Sequence, residues 1–209
     1  MTEDTAPLRE GQTLREIREK SGPLPPLRLA QQEACEWFDG LAPVGCDELR
    51  GLWRGREVLS GHPLEGLLGT CGWYGKRFDD DEHVYPMVFA RPNGSTFCAN
   101  PARMPLSVWL NGLPGPLVRL LFRCAYPYVV TRTSGARLRR VEFRGTVGAC
   151  MVYDRLAVID AFRRIDDDTL LCIMDLKGDP SGKAFFFQLL RGPCGPSGRS
   201  DVPGGHLVS

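Results

Sequence analysis

Two polar side chains, Tyr153 and Asp160, sit among apolar neighbours at positions that read as strand interior, and they are the sequence's clearest hint of chemistry. A carboxylate withdrawn from water can act as a general base, and a tyrosine hydroxyl can deliver a proton to a developing enolate. With Asp175 they make the set expected of a cofactor-independent isomerase or cyclase working on a hydrophobic substrate. Asp154, Arg132, Tyr74 and His83 are further polar residues that could face the same interior. Each aspartate also has a plainer role. Asp154 can cap a turn, Asp160 can pair with Arg163 or Arg144, and Asp175 can bond backbone amides near Lys177.

Several chemistries are absent from the sequence. The run Asp166-Asp167-Asp168 lacks the alternating ligands, the glycine and the distal glutamate of a calcium loop, and reads as a solvated turn. No GxSxG, HExxH, GxxxxGK[ST] or GxGxxG occurs, which removes the common hydrolase, zinc-protease and nucleotide readings. The histidines are His62, His83 and His206, and none is a good axial ligand for haem, so no cofactor and no metal is expected.

The elements that must position Tyr153 and Asp160 lie between Arg137 and Leu190. That block reads as four short strands of period two separated by polar turns, the pattern of an antiparallel meander. Val141, Phe143 and Val147 share one face, Ala149, Met151 and Tyr153 the next, and Val158, Asp160 and Phe162 another. Gly145 and Gly148 interrupt the first strand and suggest a bend or bulge that curves the sheet. A meander that curls to meet earlier strands closes a barrel. Upstream, Gly51-Leu52-Trp53-Arg54-Gly55 and Gly72-Trp73-Tyr74-Gly75 frame tryptophans with glycines, where backbones approach closely and an indole can close a hydrophobic interior.

A short amphipathic helix is expected over Leu27 to Phe38. The Pro- and Gly-rich stretch 99–135 reads as short helices or apolar loops, including Pro105 to Leu110 and Pro116 to Cys124. It covers one end of the domain, with a lid or a peripheral membrane contact as the alternative role. Residues 1–26, including a weak helical patch at Thr13 to Lys20, form a flexible lead, and 192–209 a disordered tail. The whole is mainly β with short α segments. Residues 27–191 form one barrel domain made of a first half (27–98), the connecting cover (99–135) and a four-strand half (136–191).

The totals agree with a single globular domain: 209 residues, 43% hydrophobic and 24% charged. A net charge of +1 gives no global attraction to nucleic acid. The eight cysteines are evenly spread and never form CxxC, so reduced thiols are expected. The first twenty residues contain no apolar export segment and no run is long enough to span a bilayer, so a cytoplasmic location is expected.

The motif Gly51-Leu52-Trp53-Arg54-Gly55 with the following Gly72 to Phe78, and ARLRRVEFRGTV, MVYD, IDAFRRIDDDTLL and MDLKG in the second half, resemble the GXWXG protein family and its companion domain of unknown function. Ala157 departs from the proline usual after the YD turn, and Cys172 from the glycine usual before the MD pair, which implies a different pocket or ligand. The glycine-framed tryptophan is also similar to the motif of fatty-acid-binding and nitrobindin-type barrels. The resemblance implies a calycin-like barrel that binds a lipophilic small molecule (a fatty acid, lipid or similar metabolite), with Trp53, Trp73, Tyr74, Met151, Tyr153 and Phe162 as the lining residues.

Overall fold

Period-two patterning is realised as long strands that wrap around a common axis. The computed structural model describes residues 24–91, 93–104 and 112–192. The expectations for Thr13 to Lys20, for Pro105 to Leu110 and for the tail beyond residue 192 lie outside the described residues.

The barrel is built from β3 (Gly51–Leu59), β4 (Trp73–Phe78), β5 (Val84–Ala90), β8 (Ala136–Phe143), β9 (Thr146–Tyr153), β10 (Val158–Asp166), β11 (Thr169–Leu176) and β12 (Phe185–Arg191). These eight strands pair antiparallel in a ring in which β12 returns to β3 and β5 meets β8. The result is a closed, calycin-like barrel. Its seam between β5 and β8 is short, with the single register pair Val84↔Ala136. Past the seam β5 continues into two strands outside the ring, β6 (Thr96–Ala99) and β7 (Val130–Thr131).

The second half contains five strands rather than four. Phe143 pairs with Thr146, so Arg144-Gly145 is a two-residue hairpin turn instead of a bend within one strand. Both turn residues have positive φ, +50° and +74°, as a type I′ turn requires. An arginine seldom takes that conformation, which is why the dipeptide gives no strong turn signal. Its guanidinium is held on both carboxylate oxygens of Asp39.

The N-terminal helix is shorter than expected. Leu27–Arg28 instead form β1, parallel to Val58 and Leu59 of β3, and helix α1 spans Gln31–Gly40. The reason lies in β3: β4 pairs only with Gly51 to Arg54, which leaves the far end of β3 with an open edge. A two-residue strand, β2 (Ala42–Pro43), then pairs with β10.

Helix α1 lies across the outside of the barrel. Ala34 and Phe38 pack on Val58, Cys150, Ala161, Leu171, Ile173 and Phe186, which point outward. Strands β9 to β12 are therefore apolar on both faces, and this explains the unbroken runs Leu170 to Ile173 and Phe185 to Phe187. Two more helices close the other side, the short α2 (Leu67–Thr70) and α3 (Gly115–Val129), the latter longer than the sequence pattern suggests.

Candidate functional site

The barrel interior is filled at one end and hollow at the other. At the filled end Leu49, Trp53, Phe78, Leu138, Met151 and Phe162 form a packed core, with Phe78 and Phe162 edge to face. The Trp53 indole N–H donates to Leu49 O at 2.8 Å, and the Arg191 guanidinium lies 4.3 Å from its ring. Trp53 thus closes the packed end.

At the opposite end is a cavity of about 270 Å3. It is lined by Trp73, Met87, Met174, Phe185 and Phe187 with Leu67 and Met104, and the more exposed Leu64, Leu68, Leu156 and Ala157 stand at its mouth. Glycine makes this space. Trp53 and Gly55 both face inward on β3, and a Cβ on Gly55 would lie 2.2 Å from the Trp73 ring. A Cβ on Gly75 would meet Trp53 O at 2.0 Å, so β3 and β4 approach each other only because that residue is glycine.

One group in the cavity wall is not evident from the sequence. Lys76 is 3% exposed, and its ammonium lies 2.8 Å from Asp160 Oδ2. Tyr153 donates its hydroxyl to the same oxygen at 3.2 Å, and Lys76 Nζ also donates to Tyr153 Oη at 3.4 Å and to Pro86 O at 3.3 Å. The ammonium stands 4.8 Å from the centre of the Phe187 ring. Lys76 escapes sequence reading because Trp73 and Lys76 are three apart yet both point inward. The β4–β5 register shifts at Gly75 and absorbs the extra residue. A glycine before a lysine in a strand with paired aromatics was the only available signal.

Burial sets the electrostatics of the trio. Desolvation pushes the Asp160 carboxyl above its ordinary pKa, and Lys76 pulls it part of the way back. Desolvation and then the Asp160 charge push the Tyr153 hydroxyl well above its ordinary value, so it stays a neutral donor. Asp160 Oδ1 and Trp73 Nε1, on side chains that line the cavity, are buried without a hydrogen-bond partner among the described residues.

Of the residues expected to bind ligand, Trp73 and Tyr153 line the cavity, whereas Trp53, Met151 and Phe162 belong to the packed end. Tyr74 points away from the cavity, beside the Arg54 guanidinium at 5.9 Å. Asp175 is also outside the site: it is exposed on the outer face of β11, opposite in phase to Met174. Asp160 pairs with Lys76 instead of Arg163 or Arg144, and Asp154 pairs with Arg137 on the surface. Ala157 lies at the cavity mouth, while Cys172 is buried in the interior core. His83 is exposed and bonded to Asp80, and Arg132 lies on a separate surface groove.

Other buried charges serve the framework. Arg163 donates to the carbonyls of Phe143 and Phe162 beneath Phe38. Glu57 accepts the Gly66 N–H ahead of α2, and His62 is bonded to Asp179. The described cysteines are free thiols.

Comparison with known proteins agrees with this architecture. Residues 36–94 match the family described as GXWXG protein, and residues 134–191 match a domain of unknown function, DUF4334. A crystal structure of a protein from Thermomonospora curvata is 32% identical, with a TM-score of 0.60 over 87% of this chain and 97% of that one. No curated protein matches. This chain therefore belongs to the GXWXG protein family with its DUF4334 companion domain.

Proposed function

We propose that the barrel binds a small lipophilic molecule in the cavity between Trp73, Met87, Met174, Phe185 and Phe187. The observation that carries this reading is an apolar hollow ending on one buried polar cluster, the arrangement that orients a ligand by a single head group. At roughly 20 Å3 per close-packed heavy atom, the cavity holds about ten to fourteen atoms. That is the size of a short-chain or monocyclic metabolite, smaller than a long-chain fatty acid or a phospholipid. Native mass spectrometry of the purified protein, with and without added eight- to ten-carbon compounds, should reveal a bound species. The same spectra of Met87→Trp, which fills the cavity, should not. Ligand-free spectra of the wild type at millimolar additive would defeat the reading.

A second reading is favoured by the trio itself. An Asp carboxyl whose pKa burial raises, bonded to a tyrosine that stays protonated, is equipped for acid–base work on a bound substrate. In that case Asp160 takes a proton, Tyr153 donates one, and Lys76 holds the carboxylate in position. If a turnover is found, Asp160→Asn and Tyr153→Phe should each lower kcat at least a hundredfold. Intact turnover in both would remove the catalytic reading.

A further inference from the structure

The hydrogen bonds around Lys76 restrict which head group the cavity can accept. All three ammonium hydrogens are engaged, by Asp160, Tyr153 and Pro86. The Tyr153 hydrogen is engaged by Asp160 as well. Among the described side chains that line the cavity, what remains unpaired is one acceptor, Asp160 Oδ1, and one donor, the Trp73 indole N–H, both buried. Wherever the proton rests between Lys76 and Asp160, the pair carries no net charge. There is thus no spare cation to offset a ligand carboxylate, which would place its charge against Oδ1.

We infer that the ligand is a neutral molecule whose head group is a hydroxyl: an alcohol, phenol or enol, not a fatty acid. A hydroxyl is both donor and acceptor, so it can serve Oδ1, the indole N–H or both. An ether satisfies only the indole and leaves Oδ1 buried and unpaired, which costs affinity. This inference rests on the binding reading above.

The test is isothermal titration calorimetry of the full chain with 1-octanol, octanoate, octylammonium and 1-methoxyoctane. Expected is 1-octanol binding at least tenfold more tightly than each of the other three. Asp160→Asn, whose carboxamide can turn an N–H toward the ligand, should cut the preference for octanol over the ether below threefold. Should that variant not fold, Trp73→Phe keeps the ring and loses the N–H; it should weaken octanol while leaving it ahead of the ether. Octanoate, octylammonium or the ether matching octanol in the wild type overturns the hydroxyl assignment alone. Binding of none of the four by folded protein overturns the cavity reading with it.

A second inference comes from α3, which packs beside α2 and the Pro101–Arg103 turn at the cavity mouth. Leu117, Leu120, Leu121 and Tyr128 are 40%, 56%, 41% and 73% exposed and fall on one stripe of the helix. Arg119 and Arg123 are exposed beside them. Residues 84–135 contain five arginines and no Asp or Glu in a chain of net charge +1. We infer that α3 docks the cavity mouth on an anionic bilayer, the leucines entering the headgroup region and the arginines meeting lipid phosphates.

Flotation with vesicles of phosphatidylcholine containing 30% phosphatidylglycerol should carry the protein, and pure phosphatidylcholine vesicles should not. Leu120→Glu, and separately Arg119→Glu with Arg123→Glu, should reduce the floated fraction at least fivefold. Equal flotation on both vesicles, or unchanged flotation of the variants, overturns the docking. So does a stable dimer in light scattering that Leu120→Glu disperses, since a second copy would then be the occupant of the stripe.

Discussion

At the scale of single residues, the decisive pair is Lys76 and Asp160, 3% and 1% exposed. Two buried charges are tolerable only together, and removing one strands the other in a medium of low polarity. Lys76→Met should cost about 3–5 kcal/mol in chemical denaturation. Adding Asp160→Leu should recover most of that loss, because an apolar pair fits an apolar wall. The pH dependence has a definite sign. Because burial raises the Asp160 pKa, the folded chain holds that proton more tightly than the unfolded chain. Its contribution is fully present below the ordinary carboxylate pKa and is lost as pH rises through the raised one. Asp39 behaves oppositely: Arg144 lowers its pKa, so its contribution is lost as pH falls. The double variant should therefore lack part of the stability decline that the wild type shows above the ordinary carboxylate pKa.

At the scale of elements, the glycines of β3 and β4 decide whether the site exists. Gly55→Ala forces the Trp73 ring toward the cavity and should cost about 1–3 kcal/mol, with loss of ligand capacity. Gly75→Ala should be worse, since the obstacle there is the backbone of Trp53, which cannot rotate away. Thermal melts of both variants check the order. The same pair marks how far the sequence is legible. Tyr153 and Asp160 follow from strand alternation, since β9 and β10 are regular where those residues stand. Lys76 does not, because the bulge at Gly75 changes which face it occupies, and no local rule places a bulge. Asp175 misleads for a related reason. Strand β11 is apolar on both faces along most of its length, so an aspartate there reads as interior until α1 is known to cover only part of the outer face.

For the whole molecule, closure is uneven. Strands β10 and β11 pair from Val158↔Leu176 to Asp166↔Thr169, while β5 and β8 share one register pair. Two further bonds support that seam, Gly135 N–H to Val84 O at 3.0 Å and Leu138 N–H to Asp81 O at 2.7 Å. Local opening should follow the shortest ladder. Hydrogen exchange should be faster for the amides of Gly135 and Leu138 than for Leu171 to Met174, which lie under α1 and against the interior core. Equal protection across the barrel would contradict this order.

The two-residue strand β1 carries a consequence for how the protein behaves in a crowded solution. By pairing with Val58 and Leu59 it covers the far end of the stretch of β3 that β4 leaves unpaired. Without it the barrel would present a ready template for another chain's strand. A version starting at residue 31 should keep its cavity yet associate edge to edge, gaining mass in light scattering as concentration rises. Leu27 and Arg28 thus act as a guard on solubility, a duty separate from whatever the barrel holds.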